Sequence, residues 1–322
     1  MKFRTLTACT MAAFAAVFLG TSHVDAQSWP HRSVKIVVPL GPGSGVDIAA
    51  RLFADRLAPM WGKPVVVENR PGGDGFIGLT SFIAAHDDHT LLFTPTATFT
   101  AHPFLHEKLP YDARDLIPIA RVANTLVPIA VPESLNVKSV KDLADMARAQ
   151  PGMNWAGITG ALDFSFAAFL KSENLKVDKV PYRDSVQAIN DLAEGRIQAF
   201  VAALAIVRPQ VQAGKVRLIA MMNHERAPSM PDVPTVREAG FPALEMDGLT
   251  GFFSVREMSD EVRKRVSDDV RSVASDTEII AKLNVTGQLV RGGTAEEFAA
   301  AISEQQSRVA AAAASLGVKS AQ

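Results

Sequence analysis

Two pairs of histidines have spacings that could hold a metal ion. His86 lies three residues before His89, and His102 lies four residues before His106. Both pairs fall in polar segments that we predict to be loops, and Pro103 is expected to break the helix that would align the second pair. The pattern therefore favours solvated loop histidines, and we expect neither a metal nor another cofactor.

The glycine-rich segments do not assemble a nucleotide site or a nucleophile. Residues 73–78 match a dinucleotide fingerprint in form, but residues 69–71 make the turn long, and no acidic residue ends the next predicted strand. No glycine run carries the lysine of a phosphate-binding loop. Pro42 and Val46 flank Ser44 where a nucleophile elbow needs glycine. We therefore expect a structural glycine loop at 73–78 and no enzyme.

Three loops instead offer hydrogen-bond donors without a strong base. Residues 41–47, 94–98 and 157–163 are rich in glycine, serine and threonine, and each follows a predicted strand. Such groups suit the binding of a small molecule better than catalysis. An exported hydrolase or transferase on the same scaffold stays open as an alternative. It would need a nucleophile beside a base, or a metal.

The segment Val34–Arg51 predicts a strand, a glycine loop and a helix in succession. Val34–Val38 is rich in β-branched residues and is typical of a buried strand, and Gly41–Gly45 forms the loop. Asp47 then stands where the first turn of a helix favours a carboxylate. Such a junction presents unpaired backbone N–H groups that favour an anion. The alternative is an ordinary tight turn between a strand and a helix.

Strands and helices alternate along the rest of the chain, which predicts an α/β protein with mostly parallel sheets covered by helices. Gly251–Val255 is the last core strand predicted, and Thr294 with Glu297 predicts a capping box at the start of a C-terminal helix. Two groups of such units, with the chain crossing near Asn124 and returning near His224, predict two lobes. Residues 27–124 and 225–322 then form lobe 1 and residues 125–224 form lobe 2, with a small-molecule cleft between them.

The N-terminus has the pattern of an export signal. Lys2 and Arg4 precede an apolar run over residues 6–19, and residues 24–26 offer small side chains before a cleavage site. We expect residues 1–26 to be a cleaved signal peptide and the mature protein to be soluble and periplasmic.

The single cysteine, Cys9, lies in the predicted signal peptide, so no disulfide is expected. A hydrophobic content of 48% permits a large core, and a formal net charge of −1 implies no basic face, so we expect no nucleic-acid partner.

Short motifs along the chain resemble the Bug family, the periplasmic solute receptors of tripartite tricarboxylate transporters. The motifs are Trp29-Pro30, V-V-P-x-x-P-G-x-x-x-D at 37–47, V-V-V-E-N-R-P-G-G at 65–73, and residues 109–112, 180–182, 213–217 and 231–235. The resemblance covers nearly all of residues 29–320. It implies a two-lobed periplasmic-binding-protein fold of type II that closes on a small organic molecule, an organic acid or a related polar or aromatic compound. It also implies integral membrane transporter subunits as partners, and we expect a monomer.

By the same resemblance, the loop after the first strand holds the ligand through backbone groups and ordered water. The facing lobe contributes the loop before the helix at Asp163. Tyr182 is expected to supply an aromatic wall or a phenol hydrogen bond, with a buried core tyrosine as the alternative. The expected ligand-binding residues are Leu40, Pro42, Gly43, Ser44, Gly45, Asp47, Thr96, Thr98, Gly157, Thr159, Asp163, Tyr182 and Ala202.

The chain departs from the family pattern in lobe 2. Family members typically carry a serine-rich turn followed by histidine where this chain has residues 161–164, and many carry an Asp-Asn pair where it has Ala202-Ala203. Asp163 either caps its helix or faces the cleft, where it would repel a second ligand carboxylate. We therefore expect a ligand less anionic or more apolar than a dicarboxylate. A degenerate receptor that acts in sensing through protein contacts alone stays open as well.

Overall fold

The computed structural model describes residues 29–157, 160–182 and 184–320. The predicted signal peptide and Thr159 therefore lie outside the described residues. None of the helices in these ranges has the length and apolarity that crossing a bilayer requires. In chain order the strands are β1 (Val34–Val38), β2 (Val65–Asn69), β3 (Thr90–Pro95), β4 (Ile117–Thr125), β5 (Pro128–Pro132), β6 (Met153–Gly157), β7 (Val177–Lys179), β8 (Ala199–Val201), β9 (Val216–Met221), β10 (Gly248–Ser254) and β11 (Gln288–Gly293). The helices are α1 (Gly45–Trp61), α2 (Phe76–Ile83), α3 (Thr96–Leu105), α4 (Val140–Ala149), α5 (Ala161–Ser172), α6 (Ser185–Ala193), α7 (Leu204–Gln212), α8 (Asp260–Ala274), α9 (Thr277–Val285) and α10 (Ala295–Leu316).

The strands form two separate sheets, each with strands running in both directions. The first sheet has the order β11-β4-β10-β3-β1-β2, and the second has the order β7-β6-β8-β5-β9. In the first sheet β1 is parallel to β2 and β3, whereas β10 is antiparallel to β3 and β4. In the second, β6 is parallel to β7 and β8, whereas β5 is antiparallel to β8 and β9. The prediction of mostly parallel sheets is therefore wrong, because β10 and β11 run against the other strands of the first sheet and β5 runs against those of the second.

The chain passes between the two sheets after β4 and again after β9. The first sheet takes its strands from residues 34–125 and 248–293, and the second from residues 128–221. The buried side chain of Asn223 ties the two crossings together, since its Oδ1 accepts from the Val127 N–H at 2.8 Å and its Nδ2 donates to the Thr125 carbonyl at 2.9 Å. The lobe boundaries at 124 and 225 stay a prediction.

The structure contains elements that the sequence pattern did not predict: β4, β11, α7 and α9. The prediction that β10 is the last strand is wrong, because β11 pairs antiparallel with β4 at the edge of the first sheet. The β11 sequence Q-L-V-R-G-G has only two large apolar residues. An edge strand needs little apolar sequence, because one of its sides has no neighbouring strand.

Helix α1 follows the glycine loop, as the sequence predicts. It begins after Ser44, whose hydroxyl accepts from the Asp47 N–H at 3.2 Å, and it ends at Gly62, whose φ of 64° closes the helix in the left-handed region. Phe53 and Leu57 lie one turn apart on its buried face and pack in the core beside the first sheet. The helix therefore holds the preceding glycine loop against the end of β1.

Helix α3 corrects two predictions. The segment 94–98 is not a loop, since β3 extends to Pro95 and α3 begins at Thr96. Pro103 does not break the helix, which continues to Leu105. Pro103 lies in the last turn, where the loss of one N–H and a local bend affect few further residues. As a result His102 and His106 lie on the same side, with ring centroids 5.5 Å apart.

Helix α10 packs against both sheets. It begins with the predicted capping box, in which the Thr294 hydroxyl accepts from the Glu297 N–H at 3.2 Å and the Glu297 carboxylate accepts from the Thr294 N–H at 2.9 Å. Phe298, near its start, is buried against the first sheet, whereas Val309 and Ala313 lie in the core of the second. The helix therefore joins the lobes by a continuous apolar contact.

Candidate ligand-binding site

A cavity of about 710 Å³ lies where loops and helices from the two sheets meet. The first-sheet side contributes the loops after β1 and β2 and part of α3. The second-sheet side contributes the end of β6, the start of α6, and residues of β8 and α7. Loops at the carboxyl ends of parallel strands commonly converge on a ligand in this way, and small-molecule pockets have volumes of roughly 300–1,000 Å³.

Asp47 organises the loop that follows β1, which we call the first glycine loop (residues 40–44). Its carboxylate accepts from the Gly43 N–H at 2.8 Å, from Asn69 Nδ2 at 2.9 Å and from Arg51 Nε at 3.2 Å. Asp47 is only 2% exposed. Burial works to raise the pKa of Asp47, but the hydrogen bonds from Arg51, Gly43 and Asn69 outweigh it and hold the pKa below its usual value. The side chain therefore builds the loop and is not among the residues that line the cavity.

The first glycine loop meets the cavity at its start. Pro39, Leu40 and Gly41 line the cavity. The predicted residues Pro42, Gly43, Ser44 and Gly45 are not among the lining residues; Ser44 caps α1, and Gly45 lies against Gln288. Their role as ligand contacts stays a prediction.

A second glycine loop (residues 72–75), which the sequence pattern treated as structural, also reaches the cavity. Gly72, Asp74 and Gly75 line it. All of residues 72–75 have positive φ, including 52° at Asp74 and 93° at Gly75. A Cβ at Gly75 would lie 2.8 Å from Thr98 Cγ2, so only glycine fits there. This loop follows β2, which is the parallel neighbour of β1, and that adjacency is the signal that could have found it.

Helix α3 supplies one wall of the cavity through Thr98, His102 and Leu105. Thr98 was a predicted site residue, and it lies at the wall. Thr96, the other predicted threonine, is fully buried, and its hydroxyl donates to Gln305 Oε1 at 2.7 Å. Because one helical turn separates Thr98 from His102, the residues that reach the cavity follow the face of a helix that was predicted as a loop.

His102 is held neutral beside the cavity. Its Nε2 donates to the Asp74 carbonyl at 2.9 Å, since a carbonyl can only accept, and its Nδ1 accepts from the Tyr111 hydroxyl at 2.7 Å. Burial lowers the pKa of His102 to about 4, so the ring carries no charge at neutral pH. Burial also raises the pKa of Tyr111. The pair therefore fixes the second glycine loop without adding charge to the cavity.

The second-sheet wall is largely apolar. Ala188, Phe200 and Ile206 line it, together with the glycines at 157 and 160 and the hydroxyl residue Ser185. Gly157 was a predicted site residue. Ala202, also predicted, is fully buried at the end of β8 and is not among the lining residues.

Tyr182 lines the cavity with its hydroxyl already engaged. The hydroxyl donates to Asp191 Oδ2 at 2.8 Å. Burial and the neighbouring Asp191 carboxylate raise the pKa of Tyr182 to about 12. The half-buried ring therefore presents an aromatic surface to the cavity while the phenol group stabilises α6.

Asp163 does not cap its helix. Helix α5 begins two residues earlier, with Gly160 in the N-cap position. The Asp163 carboxylate is 7% exposed; its Oδ2 forms an ion pair with Lys179, and its Oδ1 has no hydrogen-bond partner among the described residues. A Cβ placed on Gly157 would lie 2.0 Å from that Oδ1, so the oxygen lies directly against a residue of the cavity wall. Burial raises the pKa of Asp163 although Lys179 opposes this.

The comparisons with known families agree with this geometry. The model of the tripartite tricarboxylate transporter family receptor matches residues 49–318. The chain belongs to this family. The protein BugT of Bordetella pertussis is 29% identical to it over 244 residues, which are 72% of this chain and 74% of BugT. The resemblance in the motifs is therefore confirmed, and the protein is a solute-binding receptor of this family.

Solved structures confirm the two-lobed fold. The structure of Rpa4515 from R. palustris with adipate is 27% identical, has a TM-score of 0.79, and the match covers 90% of the receptor and 99% of that chain. The structure of MatC from Rhodopseudomonas palustris with bound malate is 25% identical, has a TM-score of 0.72, and the match covers 87% of the receptor and 100% of that chain. The receptor therefore has the predicted periplasmic-binding-protein fold of type II.

The receptor has a smaller cavity, of about 400 Å³, between β4 and α10. Its charged side chains are already paired. The two guanidinium nitrogens of Arg237 lie 2.6 and 2.9 Å from the Glu245 carboxylate, and Arg121 lies 3.3 Å from Asp247. A ligand in this smaller cavity would have to displace these ion pairs.

One predicted loop histidine, His89, has a structural role. His89 is fully buried, not solvated as predicted; its Nδ1 lies 2.6 Å from Asp88 Oδ1, and its Nε2 accepts from the His31 N–H at 3.2 Å. One carboxylate oxygen each of Asp87 and Asp88 and one His89 nitrogen lie within 4.8 Å of one another. With both His89 nitrogens engaged, this group is accounted for by hydrogen bonding.

Proposed function

We propose that the 710 Å³ cavity is the solute site of a periplasmic receptor for small organic acids and related polar or aromatic compounds. The observation that carries the proposal is that both lobes line one cavity with loops and helix starts. The relatives solved with adipate and malate support a carboxylate ligand. On this proposal, residues 1–26 direct export and the loaded monomer delivers its solute to integral membrane transporter subunits.

Because no cationic side chain lines the cavity among the described residues, the N-termini of helices supply the electrostatic attraction for a carboxylate. Gly75 precedes α2 and Ser185 begins α6, and both line the cavity. The first N–H groups of a helix are unpaired and carry partial positive charge, which favours a bound anion. No lysine or arginine lines the cavity among the described residues. We propose that backbone N–H groups of these segments, with the hydroxyl of Thr98, hold the acid group.

A thermal-shift screen of the mature protein, stripped of ligand by unfolding and refolding, tests this function. The panel contains dicarboxylates, aromatic acids, amino acids and amides. A ligand at 100 times its dissociation constant should stabilise the folded state by about 2.7 kcal/mol, enough to raise the melting midpoint by several degrees. A hit should bind at least about tenfold more weakly to Leu105→Trp, because Leu105 lines the cavity and is 39% exposed.

Met60→Trp is the matched control, because Met60 is 45% exposed and lies away from the cavity. If Leu105→Trp and Met60→Trp lose affinity for the hit to the same extent, the ligand does not bind in this cavity. Silence of the whole panel would favour the degenerate receptor that acts through protein contacts. The expectation that the protein is not an enzyme also stays a prediction, and turnover of any panel compound would contradict it.

A further inference from the structure

Among the described residues, the cavity wall carries a single charged side chain, and its charge is negative. Asp74 is the one ionisable carboxylate among the lining residues, and no lysine or arginine lies with it in the described parts of the chain. His102, the lining histidine, is neutral because both of its ring nitrogens are engaged and it is buried. The wall therefore presents net negative charge to whatever occupies the cavity.

Asp74 is held in place by its backbone, and its carboxylate makes no hydrogen bond within the described residues. Its carbonyl accepts from His102 Nε2 at 2.9 Å, while its side chain is 55% exposed. The carboxylate makes no hydrogen bond to a described residue; His106 Nε2 approaches Oδ2 only to 3.4 Å, with no hydrogen-bond geometry. Asp74 has a φ of 52°, in the left-handed region that few residues other than glycine adopt, and such a conformation is a reason to look for a functional role.

A second carboxylate lies behind the facing wall. Asp163 is more than nine-tenths buried, and its unpartnered Oδ1 lies against Gly157, which lines the cavity. Lys179 offsets the charge of Asp163, but it does not reach Oδ1 with a hydrogen bond. An acceptor oxygen with no donor, beside the wall, adds to the cost of placing a further carboxylate there.

We propose that the cleft selects solutes that carry a protonated amine as well as a carboxylate, and that Asp74 is the residue that pairs with the amine. The inference rests on the proposed function and narrows its ligand class from organic acids to zwitterions. A dianion would place its second carboxylate beside Asp74 with no cation among the lining residues to compensate. An ammonium group in that place gains a charge-assisted hydrogen bond.

Calorimetric titrations near neutral pH test this with pairs of ligands matched in length. Succinate, glutarate and adipate are compared with the ω-amino acids of the same carbon number, so that each pair differs in one carboxylate against one ammonium group. We expect at least one ω-amino acid to bind about tenfold or more tightly than its diacid. In Asp74→Asn the ratio of the two affinities should fall to about one, because asparagine tolerates the left-handed backbone but carries no charge.

Asp55→Asn is the control, since Asp55 is exposed on α1 and does not line the cavity; the affinity ratio should be unchanged there. Preference for the diacid at every length, or a ratio that Asp74→Asn leaves unchanged, overturns the inference and leaves the proposed function standing. If no ω-amino acid binds while other panel compounds do, the inference is also overturned and the proposed function stands. Silence of these ligands and of the whole panel overturns the proposed function together with the inference.

Discussion

Each glycine loop has an aspartate associated with it, Asp47 in the first turn of α1 and Asp74 within the second loop, and the two carboxylates have different environments. Both loops begin at the same end of the first sheet, because β1 and β2 are parallel neighbours with Val38 aligned to Asn69. Asp47 is buried and accepts from three donors, whereas Asp74 is half-exposed and its carboxylate accepts from none of the described residues. The number of partners thus separates a carboxylate that builds its loop from one that is available to a ligand.

The largest effect should come from removing the carboxylate that builds the first loop. Asp47→Ala removes the acceptor of the Gly43 N–H and one of the acceptors of Asn69 and Arg51, and we expect a loss of about 2–3 kcal/mol in the free energy of unfolding. Asp74→Asn should change it by less than about 0.5 kcal/mol, since the Asp74 carboxylate has no such partners. Urea denaturation at neutral pH measures both, and equal losses would contradict the distinction.

A smaller effect should separate two glycines within the second loop. Gly75→Ala places a Cβ 2.8 Å from Thr98 Cγ2, whereas the nearest atom to a Cβ at Gly73 is 3.7 Å away. Both substitutions strain a left-handed residue by about 1 kcal/mol, but only Gly75→Ala adds a steric clash. We expect Gly75→Ala to be the less stable variant by about 1 kcal/mol in the same urea titration. The reverse order would mean that the loop moves away from α3 at no cost.

The smallest effect is a dependence on pH. In the folded state the pKa of Asp47 lies below its usual value, because hydrogen bonds outweigh burial. A carboxyl group of this kind stabilises the folded state above its unfolded pKa of about 3.9, and that contribution is lost as the pH falls through the lower folded pKa. The difference in unfolding free energy between the wild type and Asp47→Asn should therefore be constant near neutral pH and shrink below about pH 4. A difference that grows on acidification would show that Asp47 is not stabilised as an anion.

Features that depend on neighbouring residues were predictable from the sequence. The strand at Val34–Val38, the start of α1 after Ser44 and the capping box at Thr294 all appear as predicted, because each is decided by residues a few positions apart. Four predicted site residues, Leu40, Thr98, Gly157 and Tyr182, lie at the cavity wall. Their function as ligand contacts stays a prediction.

Features that depend on distant partners were not predictable. Strand β11 exists because β4, far away in the chain, offers it an edge, and its own sequence is only weakly β-like. Asp163 was predicted to cap its helix or to face the cleft. The structure pairs it with Lys179 on β7, which no pattern around Asp163 could indicate.

By itself, the sequence determined the local βα units and, through its motifs, the receptor family, because both depend on short stretches of residue type and spacing. Only the tertiary structure decided which carboxylate is available to a solute. Asp47 and Asp74 both follow glycines after a β-strand, but the pairing of β1 with β2 brings Asn69 to the Asp47 carboxylate, whereas the packing of α3 brings His102 only to the Asp74 carbonyl. Whether a carboxylate has hydrogen-bond partners within the fold therefore separates the roles of the two groups.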